Sequence, residues 1–301
     1  MNATVLVVIP NYNKGDLLAR ALRSLLDQSF RDWEAIVVDN HSTDTTDTVL
    51  SQFTDSRIYS AKIHNGGVIA SSRNMGIDFS HSKYVAFLDS DDWWRPEKLG
   101  ASIDQLEKGA DLVYHKMRIC KRVRQRLYLT SFRSRRLKAD VHTDFIENGN
   151  CICTSSVVMK RSVLDEVGVF DTEPNLRTIE DFDLWLRVAE KGFRFSYIPN
   201  ALGYYWAGGG NTLQPNLNIV SLMAIRAKHL SSFEAWNRQD DRCWFYYSIG
   251  RSYYRLGDFV KAREYLTRYC LIGKPLHIVV KTLYMLARIV FPGLAASGRN
   301  A

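Results

Sequence analysis

The stretch Tyr84-Val-Ala-Phe-Leu88, followed at once by Asp89-Ser90-Asp91-Asp92, decides how the whole chain is read. Consecutive apolar and aromatic residues bounded by polar ones predict a short buried strand. Three carboxylates crowd the position where that strand ends. Acidic side chains cannot enter an apolar core unpaired, so the cluster is expected at the carboxyl edge of a sheet, where open α/β sheets bind ligands. Carboxylates at alternate positions suit a hard divalent cation, and such a cation usually brings phosphates with it. An acidic turn capping a helix from Pro96 is the plainer alternative.

Outward from this point, strand and helix patterns alternate. Thr4-Val-Leu-Val-Val-Ile9 is an apolar strand leading into Pro10-Asn-Tyr-Asn13, and Leu18, Leu22 and Leu25 then repeat at helical spacing. Glu34-Ala-Ile-Val-Val38 ends in Asp39-Asn40-His41-Ser42-Thr43-Asp44, a segment suited to cap the next helix. Arg57 to Ala61 is a third strand, and Asn65-Gly66-Gly67 turns into a segment carrying Ser72-Arg73-Asn74. The alternation predicts a Rossmann-like, mainly parallel sheet with helices on both faces. Loops after parallel strands share one edge, so Asn11, Tyr12, Asp39, Asp89 and Asp91 should converge.

Ile9-Pro-Asn-Tyr-Asn13, Val37-Val-Asp-Asn-His-Ser-Thr-Asp44, Ser72-Arg-Asn-Met-Gly76 and Leu88-Asp-Ser-Asp-Asp92 together resemble the inverting family-2 nucleotide-sugar glycosyltransferases of GT-A fold, in order and spacing. Ile179-Glu-Asp-Phe-Asp-Leu-Trp185 resembles the acidic motif of the same family. The resemblance implies that Pro10 and Tyr12 line a base pocket, with Asn11 and Asn13 in the same loop, and that Asp39 accepts a hydrogen bond from the base. It implies that Arg73 faces the diphosphate or base, with Asn74 supporting the loop. Asp91, with Asp89 nearby and Ser90 between them, would hold Mg²⁺ or Mn²⁺ against the diphosphate. Asp181 would be the general base, with Glu180 beside it at the acceptor site. Plainer structural roles exist for each: packing for Tyr12, a cap for Asp39, a solvated helix position for Arg73, and dipole-complementing helix carboxylates for Glu180 and Asp181.

The chemistry accounts for these residue types. A departing nucleoside diphosphate develops negative charge that a carboxylate-held cation neutralises. The attacking hydroxyl must lose its proton to a base on the opposite face of the sugar. One base and one displacement give inversion, unlike the acid–carboxylate pairs of glycosidases. The family often carries Tyr-Arg and a nearby His after its last strand; here Tyr204-Tyr205-Trp206 is followed by Ala207 and a glycine run, with no basic side chain. Trp206 is a candidate sugar platform and the glycine run a candidate flap. Trp93 and Trp94, beside the acidic motif, are better placed as sugar platforms, with covering the sheet edge as their plainer role.

The chain has 301 residues and a net charge of +8. Ten Lys or Arg and no acid fall within residues 116–138, without which the rest would be slightly acidic. Leu127, Tyr128, Leu129 and Phe132 interleave with them. This basic stretch is expected to leave the sheet edge as a hairpin or loop and to meet anionic headgroups or a phosphorylated, lipid-linked acceptor. No nucleic-acid motif accompanies it. Five cysteines, with Cys151 and Cys153 the one close pair, form neither a disulfide framework nor a zinc site. Neither a signal peptide nor a spanning segment is recognisable, so the expected location is cytoplasmic, peripheral at the inner face of the plasma membrane.

The expected organisation is a catalytic domain over residues 1–212, with a nucleotide-sugar half (1–112) and an acceptor half (113–212), and a C-terminal α-helical extension over 213–301. Within that extension Tyr246, Ile249, Gly250, Tyr253, Ala262 and Leu266 have the spacing of a tetratricopeptide helix pair, with Pro275 one position late. Leu276 to Phe291 is apolar except for His277, Lys281 and Arg288, a pattern that suits an interfacial helix or a core helix. The functional expectation is a metal-dependent inverting transferase acting from a nucleoside diphosphate sugar, a UDP-sugar by family habit, onto a hydroxyl of a bacterial surface glycan or glycolipid. The rivals are a nucleotidyltransferase, for which Lys14 alone could meet a triphosphate, and a non-catalytic scaffold of the same fold.

Overall fold

The computed structural model describes residues 3–122, 130–208, 214–237, 244–268, 271 and 276–291. It divides into two compact units, one of Met1–Val141 with Cys151–Gly210, the other of His142–Asn150 with Asn211–Ala301.

The first unit begins β1 (Val5–Asn11), α1 (Gly15–Leu26), β2 (Trp33–Asp39), α2 (Thr46–Ser51), β3 (Ile58–Lys62), α3 (Ile69–Ile77) and β4 (Tyr84–Phe87). It continues with β5 (Trp93–Trp94), α4 (Lys98–Glu107) and β6 (Leu112–Cys120); α5 (Val141–Asn148) then leads into the second unit. The chain returns with a 3₁₀ turn (Thr154–Ser156), β7 (Val158–Lys160), α6 (Arg161–Val167), α7 (Glu180–Glu190) and β8 (Phe195–Trp206). The eight strands form one sheet in the order β3-β2-β1-β4-β7-β6-β8-β5. The first four are parallel, β7 runs antiparallel to β4 and β6, β8 is parallel to β6, and β5 is antiparallel to β8. The sheet is thus parallel where the sequence alternation is cleanest and mixed beyond it.

Every residue of β1 and β4 is buried, which is why both read as continuous apolar runs: parallel strands covered on both faces have no solvent side to alternate with. Edge strand β3 carries exposed Tyr59, Ser60 and Lys62 instead. The chain runs outward from β1 through β2 to β3, then crosses to β4 on the other side of β1. That reversal opens a crevice beyond the carboxyl ends of β1 and β4. Register places Asn11 beside Asp39 at this edge, and Leu88 N–H donates to Val8 O just before the acidic loop begins.

The described residues on either side of 123–129 pair beside the far part of the sheet. Ile119 N–H donates to Thr130 O at 2.9 Å, and Phe132 N–H donates to Met117 O at 2.9 Å, so the returning chain runs back along β6 like a hairpin. Leu127, Tyr128 and Leu129, and the glycines at 209 and 210, lie outside the described residues. Cys120, Cys151 and Cys153 are buried free thiols.

The second unit contains α8 (Pro215–Lys228), α9 (Leu230–Asn237), α10 (Trp244–Leu256), α11 (Phe259–Thr267) and α12 (Leu276–Val290). Gly257, at φ 79°, and Asp258, whose side chain accepts from Lys261 N–H, make the turn between α10 and α11. Gly250 lets Leu266 approach so closely that a β-carbon there would lie 2.8 Å from Leu266 Cγ. The expected helix pair is present with this close crossing; Pro275 lies outside the described residues.

Gly76 gives the Ser-Arg-Asn-Met-Gly segment a packing reason. A β-carbon there would run into Val8 Cγ1 and lie 3.4 Å from Ile36 Cγ2, so α3 can rest on β1 and β2 only without one. Gly76→Ala is expected to lower stability by about 1–3 kcal/mol through overpacking, despite the better helix propensity of alanine. Urea unfolding measures the loss, and adding Val8→Ala should recover part of it. A stabilised single variant would overturn this account of the segment.

Candidate active site

The acidic motifs of the first unit meet through one buried cation. Arg73 on α3 is 3% exposed. Its Nη1 donates to Glu180 Oε1 at 2.6 Å and its Nη2 to Asp89 Oδ1 at 2.9 Å. A guanidinium buried this far requires such partners. Its fork joins the loop after β4 to the start of α7. Asn74 exchanges hydrogen bonds with the Phe170 backbone at 2.8 and 3.0 Å.

The four residues after Leu88 have different environments. Asp89 keeps part of its carboxylate exposed while its N–H donates to Ser155 Oγ. Ser90 is buried. Asp91 is pushed up to about 6 by burial and by the neighbouring Asp89 charge, with the Lys14 ammonium 3.6 Å away opposing the shift. Asp92 is fully buried and accepts from Trp206 N–H at 2.7 Å, fastening the loop to the end of β8. Asp89 and Asp91 are the two carboxylates that reach the crevice from this loop.

On α7 the three acidic side chains are distinguishable. Glu180 belongs to Arg73, and Asp183, fully buried, accepts from Arg187 Nε at 3.0 Å. Arg187 in turn donates to Val167 O and Val169 O, holding the loop that precedes the helix. Asp181 accepts from Thr154 Oγ1 at 2.8 Å and from Phe182 N–H at 2.6 Å. Burial raises its pKa, against the lowering influence of Arg73.

The loops after β1 and β2 are bound to each other. Asn11 Nδ2 donates to Asp39 Oδ1 at 2.9 Å and to Thr46 Oγ1 at 3.2 Å. Asp39, with no exposed surface, also accepts from Ser42 N–H and Ser42 Oγ. Asn13 Oδ1 accepts from Thr43 N–H, and Asn13 N–H donates to Ser42 Oγ. Pro10 lies within β1, paired with Val38, while Tyr12 is 56% exposed. So Asn11 bonds Asp39 while Asn13 bonds Ser42 and Thr43 across the same edge, and the Tyr12 side chain faces outward.

Two expectations about aromatic platforms separate. Trp93 stacks on Tyr204 at 4.8 Å with 11° between the planes, and the Arg20 guanidinium lies 3.6 Å from its ring centre. Its ring is therefore engaged by the protein rather than presented to a sugar. Trp94 is buried, its indole N–H donating to Ser155 O. Trp206 is half-buried, 5.4 Å from Arg20, and remains the candidate platform. Sequence reasoning missed Arg20, which also donates to Asp91 O at 2.8 Å, and missed Thr154 and Ser155. It missed the His41–His64 stack at 3.6 Å as well. Apart from His41, which lies in the 37–44 segment, none of these stands in a recognisable motif; each takes part through a partner distant in the chain.

The arrangement offers two carboxylates for a cation, a hydrogen-bonded carboxylate of raised pKa, and an exposed aromatic at one crevice. The sequence profile described as Glycosyl transferase family 2 matches residues 6–168, more than half of the chain. Over 204 residues the chain is 31% identical to TuaG of Bacillus subtilis (strain 168), named for teichuronic acid biosynthesis, across 67% of this chain and 78% of that one. Over 252 residues it is 25% identical to WfaP of Escherichia coli, a UDP-Glc:alpha-D-GlcNAc-diphosphoundecaprenol beta-1,3-glucosyltransferase, across 81% and 92%. Among solved structures, S. aureus TarS 1-349 in complex with UDP-GlcNAc shares the fold at TM-score 0.62 and 17% identity, covering 97% of this chain and 81% of that one. The mannosyltransferase PcManGT of Pyrobaculum calidifontis, in complex with GDP-Man and Mn²⁺, does so at TM-score 0.56 and 18% identity, covering 95% and 81%. Its motifs, its profile match and its GT-A architecture agree: the chain belongs to glycosyl transferase family 2.

Proposed function

We propose that this chain transfers a sugar, with inversion, from a nucleoside diphosphate sugar to a hydroxyl of a growing bacterial surface glycan, with a lipid-linked acceptor. The observation that carries the reading is the Arg73 bridge, which brings the acidic loop after β4 and the acidic start of α7 to opposite arms of one guanidinium. Donor chemistry and acceptor chemistry need carboxylates in that proximity. Support for a UDP-sugar comes from the names of WfaP and of the TarS complex, and WfaP also names a diphosphoundecaprenol-linked acceptor. The nucleotidyltransferase reading loses its one basic candidate, since Lys14 lies against Asp91.

Asp89 and Asp91 fit a Mg²⁺ or Mn²⁺ ion. They are hard oxygen donors, and burial, followed by the neighbouring Asp89 charge, raises the pKa of Asp91. Among the described residues no cluster of three or more protein ligands exists, so phosphate oxygens and water would complete the shell. Bound there, a divalent ion supplies charge neutralisation for the departing diphosphate. Tyr12 stands ready to pack on the base and Trp206 on the sugar. Asp181 takes the proton from the acceptor hydroxyl at its carboxylate; Thr154 orients that group, and the raised pKa strengthens it as a base. Arg73 holds Glu180 and Asp89 in place and touches no reacting atom. The basic residues that follow β6 in the chain, Arg133 and Arg136 among them, are suited to the phosphates of the acceptor.

Asp91→Asn should abolish the metal dependence of donor binding while leaving the fold intact, as read by calorimetry with UDP-sugars, with and without EDTA. Equal nucleotide affinity under all conditions, in wild type and variant alike, removes the cation from the scheme.

Asp181→Asn should cut turnover by about 10²–10⁴-fold with donor binding retained. The base must be ionised, so wild-type activity should fall as pH drops through a value above the ordinary aspartate range, and the variant's residual rate should lack that fall. Glu180→Gln, breaking a buried ion pair, should instead lower thermal stability and leave the pH profile in place. Near-normal turnover in Asp181→Asn beside a dead Glu180→Gln would assign the base to the wrong residue here.

A further inference from the structure

Helix α12 of the second unit has two apolar faces, and one of them is largely exposed. Ile278, Met285, Leu286 and Ile289 pack toward Tyr247 and Leu266, and the Thr282 hydroxyl is satisfied by Ile278 O at 2.9 Å. On the opposite side Leu276, Val280, Leu283, Tyr284 and Phe291 are each between 52% and 76% exposed, with Ala287 among them. Their spacing is i, i+4, i+7, i+8, i+11 and i+15, one continuous stripe at about 100° per residue. The stripe keeps helical geometry to its end, since Phe291 N–H donates to Ala287 O.

The flank of the stripe is cationic. Lys281 and Arg288 project together about 90° from its centre by the same helical geometry. Arg288 Nη1 donates to the Tyr284 hydroxyl at 3.3 Å, holding the ring beside the stripe. Residues 265–301 contain five Lys or Arg and no Asp or Glu. An apolar face edged by cations alone complements an apolar layer beneath anionic headgroups. A second copy of this chain fits less well. Pairing two stripes would bring like charges together, and six side chains on a helix about 22 Å long cover far less than the roughly 800 Å² per partner of a stable interface.

We propose that α12 lies in the plane of an anionic membrane surface, its outer stripe inserted below the headgroups and Lys281 and Arg288 at their level. It is too short to cross: no helix of the described residues is long and apolar enough to span a bilayer. Tyr284 and Phe291 supply the aromatic rings that favour the water–lipid boundary. The attachment is independent of the catalytic chemistry, and its failure would leave the transferase reading untouched.

Cosedimentation of the full chain with vesicles of phosphatidylglycerol and phosphatidylcholine tests it. The chain should bind these and bind pure phosphatidylcholine vesicles much less. Val280→Glu/Leu283→Glu should weaken binding at least about tenfold, and Lys281→Glu/Arg288→Glu by roughly tenfold or more. Donor turnover without vesicles should be unchanged in both. As a second readout, a polarity-sensitive dye on Leu283→Cys should shift to the blue on adding anionic vesicles and stay unshifted with phosphatidylcholine alone. Undiminished vesicle binding by Val280→Glu/Leu283→Glu, or an unshifted dye, overturns the proposal. So does a wild-type dimer that becomes monomeric in that variant, which would assign the stripe to a second copy.

Discussion

A guanidinium with almost no solvent must find its counter-charges within the protein, and Arg73 finds two of them, Asp89 and Glu180. Much of the catalytic unit follows from that requirement. Helix α3 must come close enough to the sheet to deliver the side chain, which it does by presenting Gly76 to Val8. Helix α7 must begin where Glu180 reaches the same group, so the residue after Glu180 is carried to the crevice as well. A buried cation held by two carboxylates gives little net stability compared with an apolar core. Its effect here is geometric, linking segments 107 residues apart in the chain.

The same principle recurs around the edge. Asn11, Asp39, Ser42 and Thr46 are hydrogen-bonded to one another between the first two strands. Asp44 accepts from both Gly15 N–H and Thr46 N–H, tying the starts of α1 and α2. Asp92 fastens the acidic loop to Trp206, 114 residues on. Buried polar side chains thus serve as cross-links between loops, and loops so fixed need little reorganisation when substrate binds. Burial raises the pKa of Asp91 and Asp181, as it does that of Asp92 and Glu180.

The two units use different physics. The catalytic unit is a sheet whose strands are buried on both faces, with its chemistry in the loops. The helical unit has a smaller core around Tyr247, Leu266, Ile278 and Met285, and spends much of its apolar surface outward along α12. The sheet unit holds its polar groups in long-range pairs, whereas the helical unit relies on closer features, a glycine turn, an aspartate cap and aromatic rings no more than 20 residues apart.

Local pattern alone determined the strands and helices of residues 4–107, the position of the acidic loop at a strand end, the helix pair around Gly250 and the apolar character of residues 276–291. Those features depend on neighbours within a few positions, where burial on one or both faces imprints a period on the sequence. Only the tertiary structure decided what each polar residue does there. Arg73 reads as a ligand-facing cation until its two partners are seen; Trp93 reads as a platform until Tyr204 and Arg20 cover it; and Glu180, Asp181 and Asp183 are indistinguishable along the chain. Likewise, which face of α12 packs and which stays outward depends on α10 and α11. Hydrogen bonds and ring contacts between residues tens to a hundred positions apart leave no periodicity to read, because their partners are chosen by the fold rather than by the neighbouring sequence.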